Sequence, residues 1–100
     1  MNLPSISAIQ LKQKLASSNN FILLDVRSLE EHKAYNLGGI LIPLPELVNR
    51  LDELDRSKEI IVYCRSGGRS HLAVKLLLEH HFNCVNLTGG ILEWQNNDPS

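Results

Sequence analysis

Cys64-Arg65-Ser66-Gly67-Gly68-Arg69-Ser70 is the segment of this 100-residue chain whose residue types and spacing could do chemistry. The apolar run Glu59–Tyr63 ends directly before the thiol, and a helical pattern begins after Gly68. Adjacent glycines let the backbone curl, so that successive N–H groups can turn inward as an anion-binding nest. A helix N-terminus adds partial positive charge, and Arg65 and Arg69 add full charges. A free cysteine titrates near about 8.5, and surroundings of this kind lower that value by one or several units. The expectation is a nucleophilic thiolate at Cys64, cradled by Arg65 through Arg69. The competing reading is a buried cysteine closing a core strand before a solvated loop. It leaves the glycines, the arginines and the following helix without a role.

Other reactive side chains carry less weight. Cys84 sits in an apolar run and reads as a small buried hydrophobe, with a resolving thiol as the minor alternative. His80 and His81 with Cys84 match no common zinc spacing, so no metal is expected, and a solvated helix end suits the histidines better. His71 falls in the first turn after the cradle, where an exposed helix position is the simpler role.

Elements must position the cysteine, and the chain alternates between two periods. Phe21–Val26, after Asn19-Asn20, Glu59–Tyr63 and Cys84–Leu87 are short apolar runs, and Ile40–Ile42, stopped by Pro43, is a weaker fourth. Continuous apolar runs suit strands covered on both faces, as in a parallel sheet. Ser7 and Gln10 have capping-box spacing before a helix that uses Ile9, Leu11 and Leu15. Leu29–Tyr35 is a short polar helical piece. Pro45 opens a helix carrying Leu47, Leu51 and Leu54. Arg69–His81 places Leu72, Leu76, Ala73 and Leu77 on one face, and Thr88-Gly89-Gly90 introduces a last helix with Ile91, Leu92 and Trp94. Strands alternating with helices give an α/β class with a mostly parallel sheet. In such sheets ligands bind beyond the carboxyl ends of the strands, where Cys64 falls.

Composition narrows the function classes. Ten Lys and Arg against eleven Asp and Glu give a net charge of -1, which provides no positive field for nucleic acid. No apolar run approaches the roughly 18 residues of a membrane span, and the N-terminal residues do not have the pattern of a signal peptide. A hydrophobic share of 43% is enough for one cored domain over residues 1–100, without disulfides or a structural metal. A cytoplasmic setting is expected.

Leu24-Asp25-Val26-Arg27, Glu30-Glu31, Gly39, Pro43-Leu44, Tyr63 through Ser70 and Gly89-Gly90-Ile91-Leu92-Glu93-Trp94, in this order, resemble the rhodanese-like sulfurtransferase domain. The resemblance runs from about Ile6 to Trp94. It implies a five-stranded, mostly parallel sheet flanked by helices on both faces, with a persulfide carried on Cys64. It implies that Arg65, Ser66, Gly67, Gly68 and Arg69 form the cradle. Asp25 and Arg27 would support it, with Arg27 and Glu31 as an ion pair. Gly89 and Gly90 match the turn before the last helix, where Trp94 packs. Two departures from the family pattern are local. Tyr35-Asn36-Leu37 stands where the family commonly has Gly-His-Ile, and the stretch from Gly38 to Pro43 is one residue short. Both touch a turn and not the cradle.

Related phosphatases and arsenate reductases use C-x5-R, a wider nest for a tetrahedral oxyanion. This chain has C-x4-R, from Cys64 to Arg69, with no acidic residue inside the loop to protonate a leaving group. The expected reaction moves sulfur from thiosulfate or a small persulfide to cyanide or a thiol through a Cys64 persulfide, in ping-pong fashion and without a cofactor. The alternative is a partner-dependent sulfur relay, or an interaction module, with little thiosulfate activity.

Overall fold

The computed structural model describes residues 3–18 and 20–96, so Asn19 of the expected Asn19-Asn20 boundary lies outside the described residues. Five strands form one sheet: β1 (Ser5–Ile6), β2 (Phe21–Asp25), β3 (Ile40–Leu41), β4 (Glu59–Tyr63) and β5 (Cys84–Leu87). Their order is β1-β5-β4-β2-β3, and every neighbouring pair is parallel. The parallel arrangement and the helices between strands give the α/β class expected from the apolar runs. The edge strand β1 has no apolar run of its own and emerges only through pairing with β5.

Helices α1 (Ala8–Ser17), α2 (Leu29–Ala34), α3 (Gly68–Glu79) and α4 (Gly90–Asn96) complete the frame. The Ser7 capping box forms as expected: its hydroxyl accepts from the Gln10 N–H, and the Gln10 side chain accepts from the Ser7 N–H. In α1, however, Ala8 and Leu11 are the buried residues, while Ile9 is 56% exposed and Leu15 44%. The expected helix from Pro45 is instead a pair of 3-10 segments, Leu44–Asn49 and Leu51–Glu53. Leu44 to Leu47 and Leu51 to Leu54 are both three-residue steps, the period of the tighter helix. Leu47 and Leu54 are buried, as their spacing suggested.

Strand β4 divides the core by simple alternation. Ile60, Val62 and Cys64 face a cluster that includes Ala73, Val74 and Leu77 of α3, together with Leu47 and Leu54. Ile61 and Tyr63 face the opposite cluster with Leu11, Leu87 and Ile91, from α1, β5 and α4. The sheet is therefore covered on both sides, and the thiol points toward α3. The inward stripe of α3 is Ser70, Ala73, Val74 and Leu77, with Leu72 turned outward and Leu76 only partly covered. This corrects the expected face, because the helix starts with Ser70 turned in toward Cys64 and that start sets its rotation.

Candidate active site: a strand-end cysteine in a backbone cradle

Cys64 follows the last residue of β4 and is 1% exposed. Its Sγ accepts the Gly67 N–H at 3.1 Å and the Ser70 N–H at 3.4 Å, and the Ser70 hydroxyl lies 3.3 Å away. Burial pushes the thiol upward. The Ser70 hydroxyl and the N–H groups of Ser70, Gly67 and Ser66 outweigh burial and hold it below the ordinary cysteine value. The arginine side chains are secondary to this. Arg65 is exposed, and the Arg69 guanidinium is turned to Glu31. Ser70 was thus part of the motif without a role at the sequence level, and its first-turn position on the following helix was the available signal.

The loop keeps its shape through two special positions. Gly67 has φ +103°, a left-handed conformation that an L side chain rarely adopts, and a Cβ there would also approach the Gly89 nitrogen at 3.3 Å. Gly68 is different: it begins α3 with a normal φ and open space around it, so its glycine is not sterically demanded. Gly90 begins α4 and leaves room for the loop to dock. The N–H groups of Ile91 and Leu92 donate to the carbonyls of Cys64 and Arg65, both at 3.0 Å. The first turn of α4 is capped by the cradle itself. From the other side, the Asn86 side-chain amide donates to the Gly67 carbonyl at 3.3 Å.

Supporting charges pair differently from expectation. Arg27 is bidentate to Asp25 at 2.9 and 2.8 Å and also donates to the Tyr35 carbonyl at 2.6 Å. Glu31 is bidentate to Arg69 at 2.7 and 2.8 Å, so the expected Arg27–Glu31 pair is replaced. Asp25 stands only two residues before Arg27 and accepts its N–H as well, which saturates the nearer fork and leaves Glu31 to the cradle. Asp25 is fully buried; burial raises its carboxyl, but the bonds from Arg27 and His32 hold it below the usual range. The Arg69 pair draws the Glu31 carboxyl down to about 2. Helix α2 buries no side chain completely, and Glu31–Arg69 and His32–Asp25 (2.8 Å) fasten it over the strand ends. The departures at Tyr35–Leu37 are accommodated by Tyr63, whose hydroxyl accepts from the Leu37 N–H and donates to the Gly38 carbonyl.

Cys84 is a contrasting thiol. It is 2% exposed, and burial pushes it up to about 11. It pairs with Ile60, four residues before Cys64 on β4, which places it about 13 Å back along the sheet. That distance excludes a resolving role in this conformation. His71 is exposed on α3, Trp94 packs against the α1-side cluster, and among the described residues no group of three or more His, Cys, Asp or Glu side chains is placed to hold a metal ion. No helix among the described residues is long and apolar enough to cross a membrane.

Comparison with known proteins agrees with this geometry. The family model of the rhodanese-like domain matches residues 7–97. The "Sulfurtransferase" of Allochromatium vinosum is 32% identical over 91 residues, covering 89% of this chain and 85% of that protein. The "Putative sulfur carrier protein YrkF" of Bacillus subtilis is 35% identical over 95 residues, 93% of this chain, and the chain spans only about half (51%) of that relative. The crystal structure of a rhodanese-like domain protein from Staphylococcus aureus matches with a TM-score of 0.86 at 30% identity, covering 92% of this chain and 91% of that one. Sulfur transfer is therefore the activity supported at family level. The family model covers most of the chain, a relative 32% identical is matched over 85% of its length, and a solved rhodanese-like domain shares the shape: the chain belongs to the rhodanese-like domain family.

Proposed function

We propose that the protein is a sulfurtransferase that carries sulfane sulfur as a persulfide on Cys64, with thiosulfate or a low-molecular-weight persulfide as donor. The observation that carries this reading is the Cys64 Sγ receiving the Gly67 and Ser70 N–H groups beside the Ser70 hydroxyl. Donors already aimed at sulfur stabilise a thiolate without reorganising during the reaction.

In the first half-reaction the Cys64 thiolate attacks the outer sulfur of thiosulfate. A new S–S bond forms, the old one breaks, and its electron pair leaves with sulfite. In the second, a thiolate or cyanide attacks the outer sulfur of the persulfide, and the electron pair returns to Cys64 Sγ. Neither step needs a metal or organic cofactor, and splitting the transfer in two gives ping-pong kinetics. Arg65, Ser66, Gly67, Gly68 and Arg69 form the wall of the cradle. Ser66, Gly67 and Ser70 contribute N–H groups, and Arg69 fixes the end of the loop through Glu31. Asp25 and Arg27 brace the neighbouring strand end.

The test is mass spectrometry of protein treated with thiosulfate and freed of excess donor. One added sulfur located on Cys64, lost in Cys64→Ser and retained in Cys84→Ser, is the expected result. Full loading of the Cys64→Ser variant overturns it. A second reading, in which a partner protein supplies or takes the sulfur, is favoured by the relative named as a sulfur carrier protein. It predicts slow loading by thiosulfate and fast loading by a protein-bound persulfide.

A further inference from the structure

Asn86 is the polar exception in β5. Cys84 joins the buried cluster on the α3 side of the sheet, while Val85 and Leu87 pack with the cluster on the other side. Alternation therefore turns Asn86 toward α3, beside its ladder partner Val62, a member of the apolar cluster there. Its Oδ1 is buried and has no hydrogen-bond partner among the described residues. Turning the amide round does not cure this. Its other end meets the Gly67 carbonyl at 3.3 Å, and a carbonyl only accepts, so Nδ2 must face it. A leucine, close to asparagine in shape, would bury here without an unpaired oxygen. The amide is a cost to the fold, and the bond it makes is to the cradle.

That bond falls where the loop has least to hold it. The carbonyls of Cys64 and Arg65 are tied down by α4, and the Arg69 side chain by Glu31. Between these anchors lies the Gly67–Gly68 peptide. Neither residue carries a side chain, and Gly68 has open space around it, so sterics alone do not stop this peptide from rotating. Rotation would disturb both neighbours, the Gly67 N–H on one side and the Ser70 N–H in the first turn of α3 on the other. Both are bonded to the Cys64 sulfur. The Gly67 carbonyl opens α3 by accepting the His71 N–H at 3.1 Å, and Asn86 adds a hold from a separate strand.

We propose that Asn86 is a positioning residue of the cradle: its side-chain amide locks the Gly67–Gly68 peptide, so that the N–H groups on either side stay aimed at the Cys64 sulfur. The proposal deepens the sulfur-transfer reading above and rests on it for the task of the thiolate. Asn86 acts through the loop and does not bind the donor.

Asn86→Leu and Asn86→Val remove the amide without adding charge, and valine suits a strand if the leucine variant folds poorly. The Gly67 carbonyl keeps the His71 N–H in both, so neither leaves it unpaired. Stability and reactivity are therefore expected to part. The melting temperature at acidic pH should stay at or above the parent's. The pH profile of Cys64 alkylation by iodoacetamide, read by peptide mapping, should move up by about one unit, as for one lost donor to a thiolate. Sulfur loading from thiosulfate below the midpoint should slow about threefold. Gly68→Ala narrows the backbone freedom of the same peptide from within the loop. Added to Asn86→Val, it is expected to bring the profile part of the way back, a rescue that a packing defect would not show. Parental profiles in both Asn86 variants overturn the proposal. So does a shift that comes with a lower melting temperature and is untouched by Gly68→Ala, which assigns Asn86 to packing. Alkylation needs no sulfur donor, so the two levels separate. If the profile shifts as expected while no thiosulfate or polysulfide sulfur reaches Cys64 in the parent, the sulfur-transfer reading falls and the lock on the thiol stands.

Discussion

Replacing Ser70 by alanine removes one buried oxygen, 3.3 Å from the Cys64 Sγ, and leaves the Gly67 and Ser70 N–H donors in place. A hydrogen bond to a charged group contributes about 1.5–3 kcal/mol. At 3.3 Å the lower end applies, and about 1.4 kcal/mol corresponds to one pKa unit. The thiol of Ser70→Ala is therefore expected to titrate about one unit higher than that of the parent. Below both values the thiolate population falls about tenfold. Each thiolate becomes about threefold more nucleophilic, because reactivity rises with basicity at a Brønsted slope of about 0.4–0.5. Alkylation of Cys64 by iodoacetamide should then be about threefold slower at low pH and about threefold faster at high pH, with the two profiles crossing between. Peptide mapping confines the readout to Cys64, since Cys84 is buried and held up near about 11. Stability reports the same shift. A thiol depressed in the folded state makes the unfolded chain bind more protons, so stability rises with pH from the folded value up to the unfolded value near about 8.5. Ser70→Ala is expected to flatten that rise. Superimposable alkylation profiles for parent and variant would refute the view that side-chain and backbone donors tune this thiol.

Other perturbations separate shape from charge. Gly67→Ala forces a side chain onto φ +103° and is expected to lower both melting temperature and sulfur loading, while Gly68→Ala, at an open helical position, leaves the melting temperature within a few degrees of the parent; equal losses in thermal unfolding would contradict the assigned geometry. Glu31, lowered to about 2 by Arg69, contributes stability that is complete above about 4.5 and is lost as pH falls toward about 2. Glu31→Gln is expected to remove that part of the acid-induced loss, as read by melting temperature against pH. Inserting one glycine between Gly68 and Arg69 converts C-x4-R to C-x5-R and is expected to raise inhibition by phosphate or arsenate and reduce sulfur transfer, without creating a phosphatase. Robust aryl phosphate hydrolysis by the parent protein would contradict the sulfur reading.

The parts legible in sequence were those governed by local pattern. β4 and β5 coincide with Glu59–Tyr63 and Cys84–Leu87, and β2 stops one residue before Val26, because buried parallel strands need continuous apolar residues. The thiol, the turn at Gly67 and the following helix were visible for the same reason. β1 was not, since its two residues owe their conformation to β5. The rotation of α3 was also hidden. Leu72 has the composition of a core residue, yet Ser70 occupies the inward position because its hydroxyl serves Cys64. Partner choice among charges depends on tertiary approach: nothing in the spacing of Arg27 and Glu31 reveals that Asp25 folds back onto Arg27 while Glu31 crosses to Arg69.

Cys64 and Cys84 show how little of this chemistry resides in the residue type. Both thiols are almost wholly buried, both lie against the α3 side of the sheet, and burial pushes both upward. Cys84 is inside β5, where neighbouring backbone groups are engaged in the ladder, and its only described polar contact is a long 3.7 Å approach to the Val74 carbonyl, an acceptor. An acceptor stabilises the protonated thiol and not the thiolate. Cys64 lies one residue past the end of β4, where the chain leaves the ladder and the N–H groups of the turn and first helical residues are still without partners. They converge on sulfur because Gly67 accepts the left-handed conformation and α3 starts immediately after it. The same alternation that places Ile60 and Val62 in the core thus delivers the next inward position, Cys64, to the mouth of the helix. Strand length decides which of two similar buried thiols meets the donors of the turn.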